Sequence, residues 1–214
     1  MRGVYLVTNR DLCLGRSLET VILEAVRGGV AMVQLREKQA STRSFVEEAL
    51  AVKKLLTPYR IPLIINDRLD VALAVQADGL HIGQTDMPYP LARRLMGSEA
   101  IIGLSVETVE QVLEADAYDV DYLGISPIFE TPTKPELGIA WGLDGLAQVR
   151  KLSRHALVAI GGLNADNAEA VLRHGADGLA VVSAICAAPD PRRAAQELDR
   201  IFQAAYPSPE EKTP

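Results

Sequence analysis

The chain has 214 residues, 48% of them hydrophobic and 23% charged, which suffices for one substantial core and matches an ordinary globular domain. Its formal net charge of -6 gives no global attraction to nucleic acid or to an anionic membrane, so an anionic ligand needs its own local cluster of cations. No apolar run approaches the ~20 residues that span a bilayer, Met1 to Thr8 is too short and lacks the cleavage site of a signal peptide, and two cysteines, Cys13 and Cys186, make neither a disulfide framework nor a metal pattern.

Short runs rich in Val, Ile and Leu alternate with helical stretches along the chain. The strands are expected at Val4 to Thr8, Val30 to Leu35, Pro62 to Ile65, Gly79 to Gly83, Ile101 to Ser105, Tyr122 to Ser126, Leu157 to Ile160 and Gly178 to Val182. Such runs suit strands buried on both faces. Ser17 can cap the first helix, and Gly28-Gly29 can stop it. A second helix is expected from Thr42 to Leu56, and Asn164 precedes another that ends near His174-Gly175. Gln76-Ala77-Asp78-Gly79-Leu80 and Gly175-Ala176-Asp177-Gly178-Leu179 enter the fourth and eighth strands, with Asp119 to Leu123 in the same place before the sixth. A helix-to-strand turn recurring at even-numbered strands favours a (β/α)8 TIM barrel over an open sheet. One α/β domain over residues 1–206 is expected. The Pro- and charge-rich tail 207–214 is expected to be disordered.

In such a barrel chemistry belongs at the ends of the strands that run into helices. The second strand ends Gln34-Leu35-Arg36-Glu37-Lys38, and alternation puts Gln34, Arg36 and Lys38 on one side. That makes either a phosphate clamp or a solvated charge run. The third ends at Asn66-Asp67 and the fourth at His81 to Asp86. Paired on neighbouring strands, Asp67 and Asp86 suit Mg2+; singly, Asp67 could cap a helix and Asp86 could belong to a turn. Ser105 can offer a hydroxyl to a ligand or cap the next helix. The loop from Pro127 to Gly138 has the length of a lid, with Thr131, Thr133 and Lys134 able to close over phosphate. Ile160-Gly161-Gly162 and Val182-Ser183 close the list, since the last two loops of a barrel commonly bind phosphate through backbone amides. Two phosphate pockets, one polar and metal-assisted, read as a two-substrate transferase. His81, His155 and His174 are taken as structural, although His81 can line the interior.

Taken together, Gln34 to Lys38, Asn66-Asp67, His81 to Asp86, Thr131 to Lys134, Ile160 to Gly162 and Val182 to Ile185 resemble the thiamine phosphate synthase family in order and over nearly the whole chain. The resemblance implies one Mg2+ per subunit on Asp67 and Asp86. It implies that Gln34, Leu35, Arg36, Glu37, Lys38, Asn66, Ser105 and Lys134 hold a pyrimidine pyrophosphate. Thr131, Pro132, Thr133, Gly162, Val182 and Ser183 would hold a thiazole phosphate, with Arg36, Lys38 and Lys134 carrying catalysis. Asn9 stands where many relatives have Asp, and Glu136 to Trp141 departs from the family's usual stretch. A thiazole tautomerase would need a histidine before Ile128, where Ser126-Pro127 stand instead. A non-catalytic sensor of thiamine precursors would have lost Asp67, Asp86 or Lys134. A sugar-phosphate isomerase leaves the aspartate pair unexplained. The expected partners are two small phosphorylated substrates, with no nucleic acid and no membrane, in a reducing cytoplasm. Whether copies of the chain form a homo-oligomer is left open by the sequence.

Overall fold

The computed structural model describes residues 2–131 and 139–207. Eight parallel strands close on themselves in sequence order: β1 (Gly3–Val7), β2 (Met32–Leu35), β3 (Leu63–Asn66), β4 (Gly79–Ile82), β5 (Ile101–Val106), β6 (Tyr122–Ile125), β7 (Leu157–Ile160) and β8 (Gly178–Val181). The helices between and after them are α1 (Leu18–Arg27), α2 (Thr42–Leu56), α3 (Leu69–Val75), α4 (Tyr89–Met96), α5 (Val109–Ala115), α6 (Gly142–Leu152), α7 (Ala165–Arg173), α8 (Ser183–Cys186) and α9 (Pro191–Ala205). The barrel expected from the alternation is present, and β1 pairs with β8 to complete it, Tyr5 lying opposite Ala180.

Alternation along the strands builds two apolar layers. Val4, Leu6, Val33, Leu35, Leu63 and Ile65 point outward into one continuous core beneath the helices. Tyr5, Val7, Met32, Ile64, Tyr122, Val158 and Ala180 point inward and fill the lower interior. This is the packed interior of a barrel rather than a pore.

The helix ends follow from local chemistry. Ser17 accepts the Thr20 amide at 3.2 Å, and Gly28 caps the other end of α1. Asn164 and Asn167 form a reciprocal capping box on α7, and His174 follows as its C-cap. The recurrent turn also has a mechanism. Oδ2 of Asp78, Asp121 and Asp177 accepts the amides of Leu63, Ile102 and Leu157 at 2.8, 2.8 and 2.9 Å. Each aspartate enters one strand and fixes the first residues of the strand before it. Several strand ends differ from expectation by a residue or two. Val30 and Ala31 precede the ladder of β2, although the Ala31 amide already donates to Val4 O at 2.8 Å.

Candidate functional site

A cavity open to solvent lies inside the C-terminal end of the barrel. Among the residues singled out from the sequence, Gln34, Arg36, Asn66, Ser105, Thr131, Gly162, Val182 and Ser183 line it. Pro132, Thr133 and Lys134 lie outside the described residues.

One wall is cationic and polar. The Arg36 backbone amide donates to the buried Thr8 hydroxyl at 3.0 Å, which fixes the end of β2 against β1. Arg36 Nε is buried with no hydrogen-bond partner among the described residues. A buried guanidinium donor without an acceptor is costly unless an anion supplies one. Leu35 and Glu37 face the other way. Leu35 is fully buried in the shell between sheet and helices. Glu37 lies 3.5 Å from Arg10, and burial, then the neighbouring Glu48, raise its pKa. Only the backbone of these two is placed to meet a ligand on the cavity side.

The opposite wall is backbone. Gly161 and Gly162 have φ of 103° and 67°, a region that a side chain disfavours. A Cβ on Gly162 would come within 2.8 Å of Phe129 Cβ and 2.9 Å of Glu130 O. The loop after β7 is thus tucked against the loop after β6, and the amides of Ile128 and Phe129 donate to Ile160 O and Gly161 O. Val182 and Ser183 join it at the first turn of α8. The Ser126–Pro127 peptide bond beside them is cis.

At the rim, Lys38 Nζ sits 2.5 Å from Asp67 Oδ2. Asp67 adopts φ of 62° and does not cap α3, whose N-cap residue is Arg68. Asp86 Oδ2 accepts the Gly83 amide at 2.7 Å, so its role in the turn is real, yet the two carboxyls also influence each other's charge. Burial raises the Asp67 carboxyl, but the Lys38 ammonium outweighs it and holds the group below the ordinary range. Asp86 is raised by burial and by the Asp67 charge. Two carboxylates crowded together with one lysine are a donor set that a hard divalent cation fits, with water and phosphate oxygens as its further ligands. Among the described residues no group of three or more His, Cys, Asp or Glu is arranged to hold a metal.

On the floor of the cavity stand Gln34, His81 and Ser105, which the sequence singles out, and Tyr5 and Tyr122, which it does not. His81 has Nε2 2.8 Å from Ser105 Oγ and Nδ1 2.9 Å from Tyr122 Oη. His81 is therefore not only a packing residue, and Ser105 is not a helix cap; Thr108 caps α5. Tyr122 Oη is 2.8 Å from Tyr5 Oη, which accepts from Gln34 Nε2 at 2.8 Å. Glycines make the room: a Cβ on Gly103 would strike the Tyr122 ring, and one on Gly124 would lie 3.0 Å from His81 Cε1. Those glycines, in phase with inward-facing aromatics, were the available signal. His155 and His174 lie away from the cavity, bonded to Ala115 O and Ala170 O.

Residues 4–185 match the protein family described as Thiamine monophosphate synthase. A thiamine-phosphate synthase of Albidiferax ferrireducens is 56% identical over 94% of this chain and 92% of its own length. One from Syntrophomonas wolfei is 50% identical, covering 94% and 96% respectively. Among solved structures, a thiamine phosphate pyrophosphorylase from Pyrococcus furiosus superposes with a TM-score of 0.86 at 38% identity, covering 95% of this chain and 96% of that one. A 3-hexulose-6-phosphate synthase, at 16% identity and a TM-score of 0.67, shares the barrel alone.

Proposed function

The chain belongs to the thiamine monophosphate synthase family and is an enzyme of thiamine phosphate formation, and we propose that it joins 4-amino-2-methyl-5-(diphosphooxymethyl)pyrimidine to 4-methyl-5-(2-phosphooxyethyl)thiazole, releasing pyrophosphate. The observation that supports this reading is one cavity with two unlike walls suited to anions, the Arg36 guanidinium, whose buried Nε has no partner among the described residues, on one side and the Gly161-Gly162 backbone on the other.

In this reading Gln34, Asn66 and Ser105 seat the pyrimidine, and Arg36, Lys38 and Lys134 face its pyrophosphate. Thr131 to Thr133, Gly162, Val182 and Ser183 take the thiazole phosphate. Asp67 and Asp86 hold Mg2+, which when bound neutralises charge on the pyrophosphate. The bond between the pyrimidine methylene carbon and the pyrophosphate oxygen breaks, and its electron pair leaves with the oxygen. The thiazole nitrogen lone pair then forms the new carbon–nitrogen bond. No proton moves, which suits a site whose histidine is engaged by two hydroxyls. Arg36 and Lys38 act by stabilising charge as it develops on the leaving group, a contribution worth about 10²–10³ in rate for a single donor.

The test is direct. Purified protein with both substrates and Mg2+ should release pyrophosphate and form thiamine phosphate, with neither product when one substrate is omitted. Excess chelator should abolish turnover. Asp67→Asn and Asp86→Asn should each impair it, with partial recovery at high Mg2+. Full activity of either variant in chelator would remove the metal assignment, and absence of pyrophosphate from the complete mixture would remove the function. An electron-withdrawing group in place of the pyrimidine 2-methyl should slow the single-turnover rate far more than a change in thiazole nucleophilicity does; the opposite pattern indicates direct displacement.

A further inference from the structure

We propose that Arg16 is a positioning residue for the thiazole-phosphate wall: its guanidinium clamps the segment after β8 to the loop after β1, and so sets where the backbone of Val182 and Ser183 stands. The identity of the ligand rests on the reading above; the clamp stands on the geometry alone.

Arg16 does not itself line the cavity, yet its three side-chain nitrogens reach four carbonyls. Nε donates to Cys13 O at 2.9 Å, Nη1 to Ala188 O at 2.8 Å and to Pro189 O at 3.1 Å, and Nη2 to Cys186 O at 3.0 Å. Cys13 belongs to the loop after β1, whereas the other three follow β8, 170 to 173 residues further along the chain. The last carbonyls of a helix have no partner within it, and here one planar fork supplies it for the end of α8. The loop is shaped to deliver that fork. Leu14 and Gly15 are both left-handed, with φ of 54° and 78°, and the Arg16 backbone amide turns back to Cys13 O at 3.0 Å. Leucine disfavours that region, and such a conformation persists where surrounding contacts over-determine it. The next residue, Ser17, caps α1, so the clamp is rooted in a helix on the opposite side of the β1–β8 seam.

The clamp reaches the cavity through the single turn of α8. The Cys186 amide donates to Val182 O at 2.9 Å, the Ala187 amide to Ser183 O at 3.0 Å and the Ala188 amide to Ile185 O at 3.2 Å. Residues 182–188 are thereby tied into one unit. Arg16 grips the carbonyls at its far end, and Val182 and Ser183 line the cavity at its near end. Gly161, Gly162, Val182 and Ser183, the described residues of this wall, carry no charged side chain. An anion held there depends on where the backbone amides stand. A side chain can change rotamer to follow a ligand, but a backbone amide cannot, and hydrogen bonds weaken steeply with misalignment. Lysine in place of Arg16 would offer a point charge rather than a fork and could not span carbonyls of both loops. Arg93 makes a comparable clamp at the other end of the barrel, just before β5, where its guanidinium donates to Gly97 O, Ala100 O and Asp119 O.

Two measurements test it. In steady state, Arg16→Ala should raise the KM for thiazole phosphate about tenfold or more and leave the KM for the pyrimidine pyrophosphate within about twofold. Arg93→Ala should lower the melting temperature with both KM values within about twofold, because a lost clamp that only stabilises the barrel does not single out one substrate. If Arg16→Ala does not fold, Arg16→Lys, which keeps the stem and the charge without the fork, should show the same split at about threefold or more. In 1H–15N spectra titrated with inorganic phosphate, the Ser183 amide should respond at about tenfold lower phosphate in the wild type than in the Arg16 variant. A thiazole phosphate KM unchanged in the folded Arg16 variant, both KM values raised alike, or the same split in Arg93→Ala overturns the clamp. If the wild type with both substrates and Mg2+ forms no thiamine phosphate, the reading of function falls, and the phosphate titration still decides the clamp by itself: equal midpoints in wild type and variant remove it.

Discussion

Gly162 shows how one residue can separate the two pockets. Its φ of 67° and the 2.8 Å that would part an added Cβ from Phe129 mean that Gly162→Val strains the turn and displaces the loop after β6. The expected result is a KM for thiazole phosphate raised about tenfold or more, with the pyrimidine KM little changed. Arg36→Ala removes the guanidinium from the other wall instead, and should lower kcat/KM for the pyrimidine substrate by about 10²–10³. Steady-state kinetics with each substrate varied in turn checks both, and equal effects on one substrate would undo the two-pocket map. The cysteines give a second expectation at this scale. Cys13 and Cys186 are free and buried, their thiols directed to Asn9 O and Val7 O. Burial pushes Cys186 up to about 11, so at pH 8 roughly one molecule in a thousand carries the thiolate there. Iodoacetamide should therefore label the native protein slowly and the denatured protein fast, and reduction should leave the intact mass unchanged. Rapid labelling of the native chain would show that the thiols are reachable without unfolding.

At the scale of the element, the aspartates before β4, β6 and β8 do the joining. Asp177 accepts the Leu157 amide at 2.9 Å and pairs with Arg150 at 2.9 Å, while Arg150 also reaches His155 O at 2.9 Å. Asp177→Ala takes away the acceptor of a strand amide and should lower stability by ~1–3 kcal/mol. Its position at the N-terminal end of the barrel, away from the cavity, should leave kcat unaltered. Denaturant unfolding and turnover of the same preparation check the two halves of that statement. These turns were legible because Ala-Asp-Gly-Leu recurs at residues 77–80 and 176–179, and a repeated local bond leaves a repeated local sequence. The same holds for α2, whose ends at Thr42 and Leu56 follow from periodicity and from Ser41 as cap. The cavity floor was harder to read. Tyr5, His81 and Tyr122 sit inside apolar runs, and a polar-tipped aromatic in such a run reads as core until its cross-barrel partners are known. Those partners lie 41 and 117 residues apart in sequence, where no local pattern links them. Leu35 and Glu37 show the converse: their place in a contiguous motif drew them into the site, while strand alternation turns their side chains outward.

For the whole molecule the decisive contact is the one between the first strand and the last. α9 packs across α1, α7 and β1, burying Ala195, Leu198 and Phe202, and thereby fastens the closure from outside. A chain ending after Gly175 lacks both β8 and α9 and leaves open edges on β1 and β7. It should fail to unfold cooperatively and should aggregate, since unpaired strand edges recruit other chains; a sharp calorimetric transition from that fragment would contradict this. The same contact sets a schedule during synthesis. β1 ends at Val7 and its partner begins at Gly178, so about 170 residues must be added before the seam can form. At roughly 5–20 residues per second the nascent strand waits on the order of ten to thirty seconds with one side unmated. Through that interval β2 can shield only the other side of β1, and the burden of keeping the growing chain from its neighbours on the polysome falls on chaperones until the final sixth of the sequence emerges.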